Sequence, residues 1–145
     1  WIALGRALLS HLDQLLISAG PDLEEVALAQ TLSAALGPRT VSTQGKLSWS
    51  QLAGLLYGAE LFVGVDTAAM HLAAACQCPT VALFRAGELG QWKPWRVPNR
   101  TVVPRPIGKP VTHQMIWTET AEPIEVADVV EACLEMLAEK TEGLR

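Results

Sequence analysis

Long hydrophobic runs are missing from this sequence, although half of its 145 residues are hydrophobic. No apolar stretch reaches the roughly 18 residues that suggest a membrane-spanning helix. The chain also lacks the basic start and cleavage site of a signal peptide. The apolar residues are therefore expected to form the core of one compact domain over residues 1–145.

Charged residues are also scarce, at 18% of the chain, and no lysine or arginine cluster stands out. The net charge is −4, so nucleic acid is not expected to be a partner, because its phosphates require a basic surface. With so many apolar residues, the composition also argues against disorder.

Metal-binding and redox patterns are absent too. Cys76 and Cys78 are closer than the usual C-x-x-C spacing, and with Cys133 they are expected to be small buried side chains in a reducing compartment. The three histidines are far apart, and no D-x-D pattern occurs. We therefore expect no metal site.

Helical and strand patterns alternate along the chain. Asp22 with Glu25, and Ser48 with Gln51, have capping-box spacing and predict helix starts. Helices are predicted from about residue 3 to 13, 22 to 36, from 48 onward, from 66 onward and from 126 to before 140; strands are predicted at 14–18, 40–42, 60–63, 79–84 and 100–103. This alternation predicts an α/β fold, a Rossmann-like parallel sheet with helices on both faces. Ligands of such sheets bind beyond the carboxyl ends of the strands.

The most informative stretch is Val63–Ala75, with the sequence VGVDTAAMHLAAA. A strand is predicted to stop at Gly64, and a helix capped by Asp66 or Thr67 follows almost at once. Free N–H groups and the positive end of the helix dipole would then face a crevice where a phosphate binds. His71 lies near that crevice, although a lone histidine beside an apolar helix is often only structural.

The series of motifs from Gly64 to Trp95 resembles a known family. VGVDTAAMHLAAACQCPTVALF, followed by a loop ending in Trp-Lys-Pro-Trp, is similar to the donor-binding half of the ADP-heptose:lipopolysaccharide heptosyltransferases, glycosyltransferase family 9. The Ala68-Ala69-Met70 variant and the W-K-P-W ending look most like the branch called heptosyltransferase III. The resemblance implies the C-terminal half of a GT-B type glycosyltransferase, with an acceptor-binding N-terminal domain outside these residues. The predicted first helix starts directly after Trp1 without an opening strand, which favours the same interpretation.

The resemblance assigns a role to the start of the 66-onward helix. The backbone N–H groups of Asp66, Thr67 and Ala68, with the Thr67 hydroxyl, would hold the ADP pyrophosphate, and His71 would stabilise the departing diphosphate. The family often has glycine at the position of Ala68. Asp66 alternatively serves only as a helix cap.

Three further candidates precede that helix. By resemblance, Glu25 or Glu24 would bind the adenosine ribose, although Glu25 is also explained by the capping box. The Gly45-Lys46 segment resembles a loop that borders the adenine, whereas Lys46 is equally explained as a solvated side chain.

The loop after the 79–84 strand departs most from the family. Arg85-Ala86-Gly87 stands where Gly-Pro-Thr is usual, and Arg85 would suit a phosphate or an anionic acceptor. Trp92 and Trp95 bracket Lys93-Pro94 and form either a sugar-facing wall or the packing of a long loop.

The resemblance implies a cytoplasmic, inverting, metal-independent transferase that moves heptose from ADP-heptose to the inner core of lipopolysaccharide. No cofactor is expected, contact with the inner membrane would be peripheral, and the isolated domain is expected to be inactive. Two alternatives remain: a non-catalytic nucleotide-binding or interaction module with the same fold, and a related transferase that uses a UDP- or GDP-sugar.

Overall fold

The computed structural model describes residues 1–84, 89–104 and 124–142 of the chain. Their contacts form two compact units, Trp1–Leu52 and Ala53–Arg145. Each unit combines helices with strands that pair only in parallel. Parallel strands require crossover connections, and here each observed crossover contains a helix.

The first unit contains two helices, two strands and the start of a third helix. They are α1 (Ile2–Leu8), β1 (Leu15–Ile17), α2 (Leu23–Leu36), β2 (Thr40–Ser42) and α3 (Trp49–Gly58). Leu16 of β1 lies opposite Val41 of β2 in the parallel ladder. Helix α2 packs against both strands and against α1.

Helix α1 is shorter than the sequence pattern predicts, because it ends at Leu8 rather than near Asp13. Its apolar spacing continues beyond Leu8, but the Ser10 hydroxyl donates to the Ala7 carbonyl over 2.6 Å. Turns then carry the chain to β1, and the Arg39 guanidinium donates to the Leu12 carbonyl over 3.0 Å. Side-chain bonds to the backbone thus end this helix despite its periodicity.

The two predicted capping pairs have different outcomes. Ser48 and Gln51 form the full reciprocal box, with the Ser48 N–H donating to Gln51 Oε1 and the Gln51 N–H donating to Ser48 Oγ. Asp22 caps α2 by accepting from the N–H groups of Glu24 and Glu25. The Glu25 carboxylate, however, does not return to Asp22, so the box is only half formed.

The second unit contains a three-stranded parallel sheet in the order β3-β4-β5. Beyond the rest of α3, its elements are β3 (Phe62–Val65), α4 (Ala68–Ala75), β4 (Thr80–Leu83), α5 (Leu89–Trp92), β5 (Asn99–Val102) and α6 (Val126–Glu142). Helix α5 is absent from the sequence prediction. Helix α6 runs past Lys140, where the prediction ended it.

Strand β3 passes through Gly64 instead of stopping there. Gly64 pairs with Ala82, and Val65 pairs with Leu83. An added Cβ on Gly64 would lie 2.7 Å from the Phe62 ring. The glycine therefore gives the Phe62 ring room over the strand, which explains why a glycine sits inside the ladder.

Helices cover both faces of this sheet. Thr80, Val81 and Ala82 are all fully buried, and successive strand residues face opposite sides. Met70 of α4 joins the core cluster on the Ala82 side. Arg100, which pairs with Val81, reaches Glu135 and Glu139 of α6, so α6 covers the other side.

Candidate functional site

The carboxyl end of β3 leads directly into α4 in the second unit. Thr67 is the N-cap residue of α4, with extended φ and ψ of −147° and 166°. Its side chain makes no capping hydrogen bond, and its Oγ1 lies 3.4 Å from the Val65 carbonyl oxygen. Thr67 thus occupies the cap position, as predicted, but the expected side-chain capping bond is not made.

The missing cap leaves the first turn of α4 available to a ligand. The Met70 N–H turns back to the Thr67 carbonyl over 3.0 Å. The N–H groups of Ala68 and Ala69 come before the first residues that find an acceptor inside an α-helix. Together with the helix dipole, these N–H groups create a positive electrostatic potential at the carboxyl edge of the sheet, where sheets of this type bind ligands.

Asp66 and His71 lie together at this helix start. The His71 Nε2 atom is 3.5 Å from Asp66 Oδ1, and the side chains are 42% and 26% exposed. His71 lies one helical turn into α4. Asp66 lies just before the helix, and its carboxylate is directed toward the His71 ring. The partly exposed imidazole therefore lies beside the helix N-terminus with Nε2 toward a carboxylate.

Trp92 completes this group from α5. Its ring centroid lies 6.2 Å from that of His71, with the planes 66° apart, the edge-on arrangement that aromatic rings favour. The indole is about half exposed. Asp66 and His71, which the sequence puts at one helix start, and Trp92, which it singles out separately, are thus neighbours in the second unit.

The W-K-P-W loop continues from Trp92 as an ordered turn. Pro94 and Val97 are buried, whereas Trp95 is 69% exposed, with the Arg96 guanidinium carbon 5.6 Å from its ring centroid. Asn99, at the start of β5, donates through Nδ2 to the carbonyls of Val97 and Pro94. Sequence reasoning missed Asn99, although an asparagine just before a predicted strand is a typical turn-forming residue.

The first unit holds a second group of the predicted residues, beyond the carboxyl ends of β1 and β2. Glu25 Oε2 accepts from the Gly20 N–H over 2.7 Å, so the carboxylate holds the Gly-Pro turn and keeps its other oxygen unbonded to described residues. Glu24 is exposed, and its backbone N–H donates to Asp22 Oδ1 in the cap of α2. Neither acid is buried.

Gly45 brings the Lys46 loop close to the Gly20 turn. Its φ is +67°, and an added Cβ would lie 2.4 Å from the Gly20 carbonyl oxygen, so a larger residue does not fit. Lys46 is exposed, and its Nζ donates to Gln44 Oε1 over 2.8 Å. Glu25 and Lys46 thus flank one backbone contact between two loops.

Arg85, a predicted site residue, lies outside the described residues. The same is true of Ala86-Gly87 and of His113. Within residues 1–84, 89–104 and 124–142, no group of three or more His, Cys, Asp or Glu side chains is arranged to hold a metal ion. None of the described helices has the length and apolar content needed to cross a membrane.

The buried cysteine of α6 is a structural group. Burial raises the pKa of the Cys133 thiol to about 12, and the side chain is fully buried. At neutral pH it is therefore a neutral, inaccessible thiol rather than a nucleophile.

Comparison with protein families identifies a match over most of the chain. The sequence model of glycosyltransferase family 9 (heptosyltransferase) matches residues 1–114. This range includes both groups of candidate residues described above.

Two curated relatives carry the name lipopolysaccharide heptosyltransferase 3. The one from Escherichia coli is 32% identical over 83 residues, and the one from Escherichia coli strain K12 is 31% identical over 83 residues. Each alignment covers 57% of this chain and 24% of the relative. The chain thus matches about a quarter of the length of these relatives.

Two solved structures share the fold. The crystal structure of a family 9 glycosyl transferase from Veillonella parvula aligns with a TM-score of 0.77 at 18% identity, covering 95% of this chain and 40% of that one. The ADP-heptose LPS heptosyltransferase II of E. coli aligns with a TM-score of 0.69 at 21% identity, covering 97% and 41%. The predicted α/β, Rossmann-like fold with parallel strands is confirmed.

Proposed function

We propose that this chain, which belongs to glycosyltransferase family 9, the heptosyltransferase family, forms the donor-binding C-terminal part of an ADP-heptose-dependent heptosyltransferase. Its product would be the inner core of lipopolysaccharide extended by one heptose. The acceptor-binding site, and the carboxylate that deprotonates the acceptor, would belong to an N-terminal domain outside these 145 residues. The observation that carries the proposal is the uncapped start of α4 with His71 beside it.

The helix start suits the diphosphate of the donor. Backbone N–H groups at the Asp66-Thr67-Ala68 turn and the Thr67 hydroxyl would donate to the phosphate oxygens. The Thr67 hydroxyl makes only a long contact in the structure, at 3.4 Å, so its donation is easily redirected. Ala68 keeps the N–H of the usual glycine, but its methyl shifts the approach of the ligand slightly.

His71 would act where negative charge develops. In the proposed single displacement, the acceptor oxygen attacks the anomeric carbon and the carbon–oxygen bond to the diphosphate breaks. The electron pair leaves with ADP, and the acceptor proton goes to the carboxylate base. An imidazole N–H beside the helix N-terminus would stabilise that leaving group without a metal ion or cofactor.

The Asp66 side chain, unlike its backbone N–H, is poorly suited to contact the diphosphate, because the carboxylate and the diphosphate both carry negative charge. Its carboxylate, 26% exposed and 3.5 Å from His71 Nε2, would instead hold the imidazole and accept from hydroxyl groups of the sugar. The half-exposed Trp92 ring would form a wall of the same pocket. In this arrangement the sugar would lie between the Asp66 turn and α5.

The remaining predicted residues would bind the nucleoside and the acceptor. The free oxygen of Glu25, or the exposed Glu24, would accept from the ribose hydroxyls, and the Gly45-Lys46 loop would border the adenine. Arg85 would meet an anionic group. By analogy with the family, we place the enzyme in the cytoplasm, in peripheral contact with the inner membrane.

Calorimetric titration of the intact protein with ADP, UDP and GDP tests the proposal. We expect selective binding of ADP, and His71→Ala should weaken it by about tenfold or more, the value of a hydrogen bond to a charged group. The matched control is His11→Ala, since His11 is exposed outside both groups of candidate residues. It should leave ADP affinity unchanged.

Other outcomes distinguish the alternatives. A preference for UDP or GDP would reject ADP-heptose as the donor. ADP binding without heptose transfer by the intact protein would favour a non-catalytic module, for which the departures at Ala68 and Arg85 are the motivating residues. Equal ADP affinity of the wild type and the His71 variant would remove His71 from the site.

A further inference from the structure

The Trp92–Val97 loop is held in place by one side chain that the motif does not include. Asn99 Nδ2 lies 2.8 Å from the Val97 carbonyl oxygen and 3.5 Å from that of Pro94. Both partners are acceptors, so only the amide NH2 end of an asparagine satisfies them. The two bonds close the loop on itself.

The two amide bonds of Asn99 start from a residue whose backbone lies beside the buried strand β4. Asn99 pairs in register with Thr80 of β4, which is fully buried. The Thr80 N–H donates to the Pro98 carbonyl over 3.0 Å, just before Asn99. The amide of Asn99 therefore projects from a backbone position that the sheet holds firmly.

The loop carries this constraint to His71. Pro94 and Val97, whose carbonyls the amide holds, are both buried, and Pro94 follows Trp92 by two residues. Trp92 in turn contacts the exposed imidazole of His71 edge-on at 6.2 Å. No hydrogen bond joins Trp92 to His71 among the described residues, so the indole is held by the end of α5 and by the loop that follows it.

We propose that Asn99 is a positioning residue for the donor site, and that its two amide bonds place the Trp92 ring against His71. Without them the loop would relax, and the indole would no longer cover that side of the imidazole. Because side chains of a site need support from fixed neighbours to keep their geometry, ligand affinity would fall although Asn99 touches no ligand. The part of this inference that concerns ligand affinity rests on the proposed function.

Asn99→Asp is the sharpest variant, because it keeps the shape and replaces the donor with an acceptor facing two carbonyls. Asn99→Ala removes the donors without adding charge and serves if the aspartate prevents folding. Arg100→Gln is the matched control. It changes the next residue of β5, whose side chain reaches Glu135 of α6 and, through Nη1 over 3.3 Å, the backbone carbonyl of Asn99, but neither of the carbonyls that the Asn99 amide holds.

The direct readout is the NMR signals of the His71 ring protons in the intact protein. Trp92→Leu defines their positions without the indole ring current. We expect Asn99→Asp and Asn99→Ala to move the signals toward the Trp92→Leu positions, and Arg100→Gln to leave them in place. Wild-type His71 signals in both folded Asn99 variants would overturn the inference.

ADP titration separates this inference from the proposed function. We expect the Asn99 variants to weaken ADP binding by about fivefold, roughly the value of one ordinary hydrogen bond. Displaced His71 signals with unchanged ADP affinity, while His71→Ala still weakens binding, would overturn the role of Asn99 at the site and leave the proposed function intact. If His71→Ala has no effect on ADP, the proposed function fails, and the NMR signals alone decide whether Asn99 positions Trp92.

Discussion

Two buried threonines differ in whether their hydroxyl groups are satisfied. Thr40 on β2 is 7% exposed, and its Oγ1 makes no hydrogen bond with the described residues. Thr80 on β4 is fully buried, and its Oγ1 donates to the Cys78 carbonyl over 2.8 Å. A buried hydroxyl without a partner costs free energy, whereas a bonded one contributes modestly to stability.

Thr40→Val should therefore leave the free energy of unfolding unchanged or raise it by up to about 1 kcal/mol, because the lost hydroxyl had no partner. Thr80→Val is the matched comparison and should lower it by about 1 kcal/mol, since a made hydrogen bond disappears. Urea unfolding of the two variants measures both values. A larger loss from Thr40→Val than from Thr80→Val would contradict the assignment of the two hydroxyls.

At the scale of elements, replacing a glycine by alanine is expected to have opposite effects on stability in strand β3 and in helix α3. Gly64 lies within β3, where the Phe62 ring occupies the space that a Cβ would need. Gly54 lies inside α3, and nothing lies within 4 Å of where its Cβ would be. The same change to alanine thus meets a core ring in one case and open space in the other.

We expect Gly64→Ala to destabilise the protein by about 1–3 kcal/mol, because the added methyl forces the Phe62 ring away from Met70 and Phe84. Gly54→Ala should stabilise it by about 0.5–1 kcal/mol through the higher helix propensity of alanine. Thermal unfolding followed by circular dichroism compares the two. Equal shifts in Tm of the same sign would show that the Phe62 contact does not decide the effect.

At the scale of the whole molecule, burial is distributed unevenly between the two units. In the second unit, Met70, Ala73, Thr80, Val81, Ala82 and Cys133 are fully inaccessible. In the first unit the most buried hydrophobic side chain is Ala29 at 3%, and Leu16 and Val41 are 48% and 44% exposed on the same face of the two-stranded sheet. Resistance to local opening depends on such buried apolar contacts.

Native-state hydrogen exchange should reflect this difference. The amides of β4 are expected to exchange slowest, at or near the rate of global unfolding, because helices cover both faces of that strand. The amides of β1 and β2 should exchange faster, through openings of lower free energy. Mass spectrometry of peptides covering residues 15–17, 40–42 and 80–83 measures the comparison, and protection of β1 equal to that of β4 would contradict it.

Local signals predicted most of the elements but not all of their ends. Two local signals correctly predicted an element: the capping pair Ser48 and Gln51 for the start of α3, and the apolar run for β4. They were sufficient because each acts over only a few neighbouring residues. The ends of α1 and β3 were predicted wrongly, since the Ser10 hydroxyl and the pairing of Gly64 with Ala82 decide them. Helix α5 has only four residues and carries no periodic pattern.

For the candidate site, the family motif indicated the candidate residues, and the structure showed which of them lie close together. The motif put Asp66 and His71 at the same helix start, but it did not indicate that Trp92 lies beside them. No motif in the sequence indicated the two hydrogen bonds from the Asn99 amide to the Pro94 and Val97 carbonyls. The roles of these residues in binding and catalysis remain predictions.

The sequence by itself determined the class of fold and the family, because alternating periodicity and an ordered series of short motifs are local properties of the chain. The tertiary structure decided that Thr67 leaves the start of α4 uncapped, that Glu25 bonds to Gly20, and that Trp92 lies edge-on to His71. Each of these is a choice between competing partners. Such choices depend on where the sheet, the loops and the neighbouring helices bring atoms together, and spacing along the chain does not encode that.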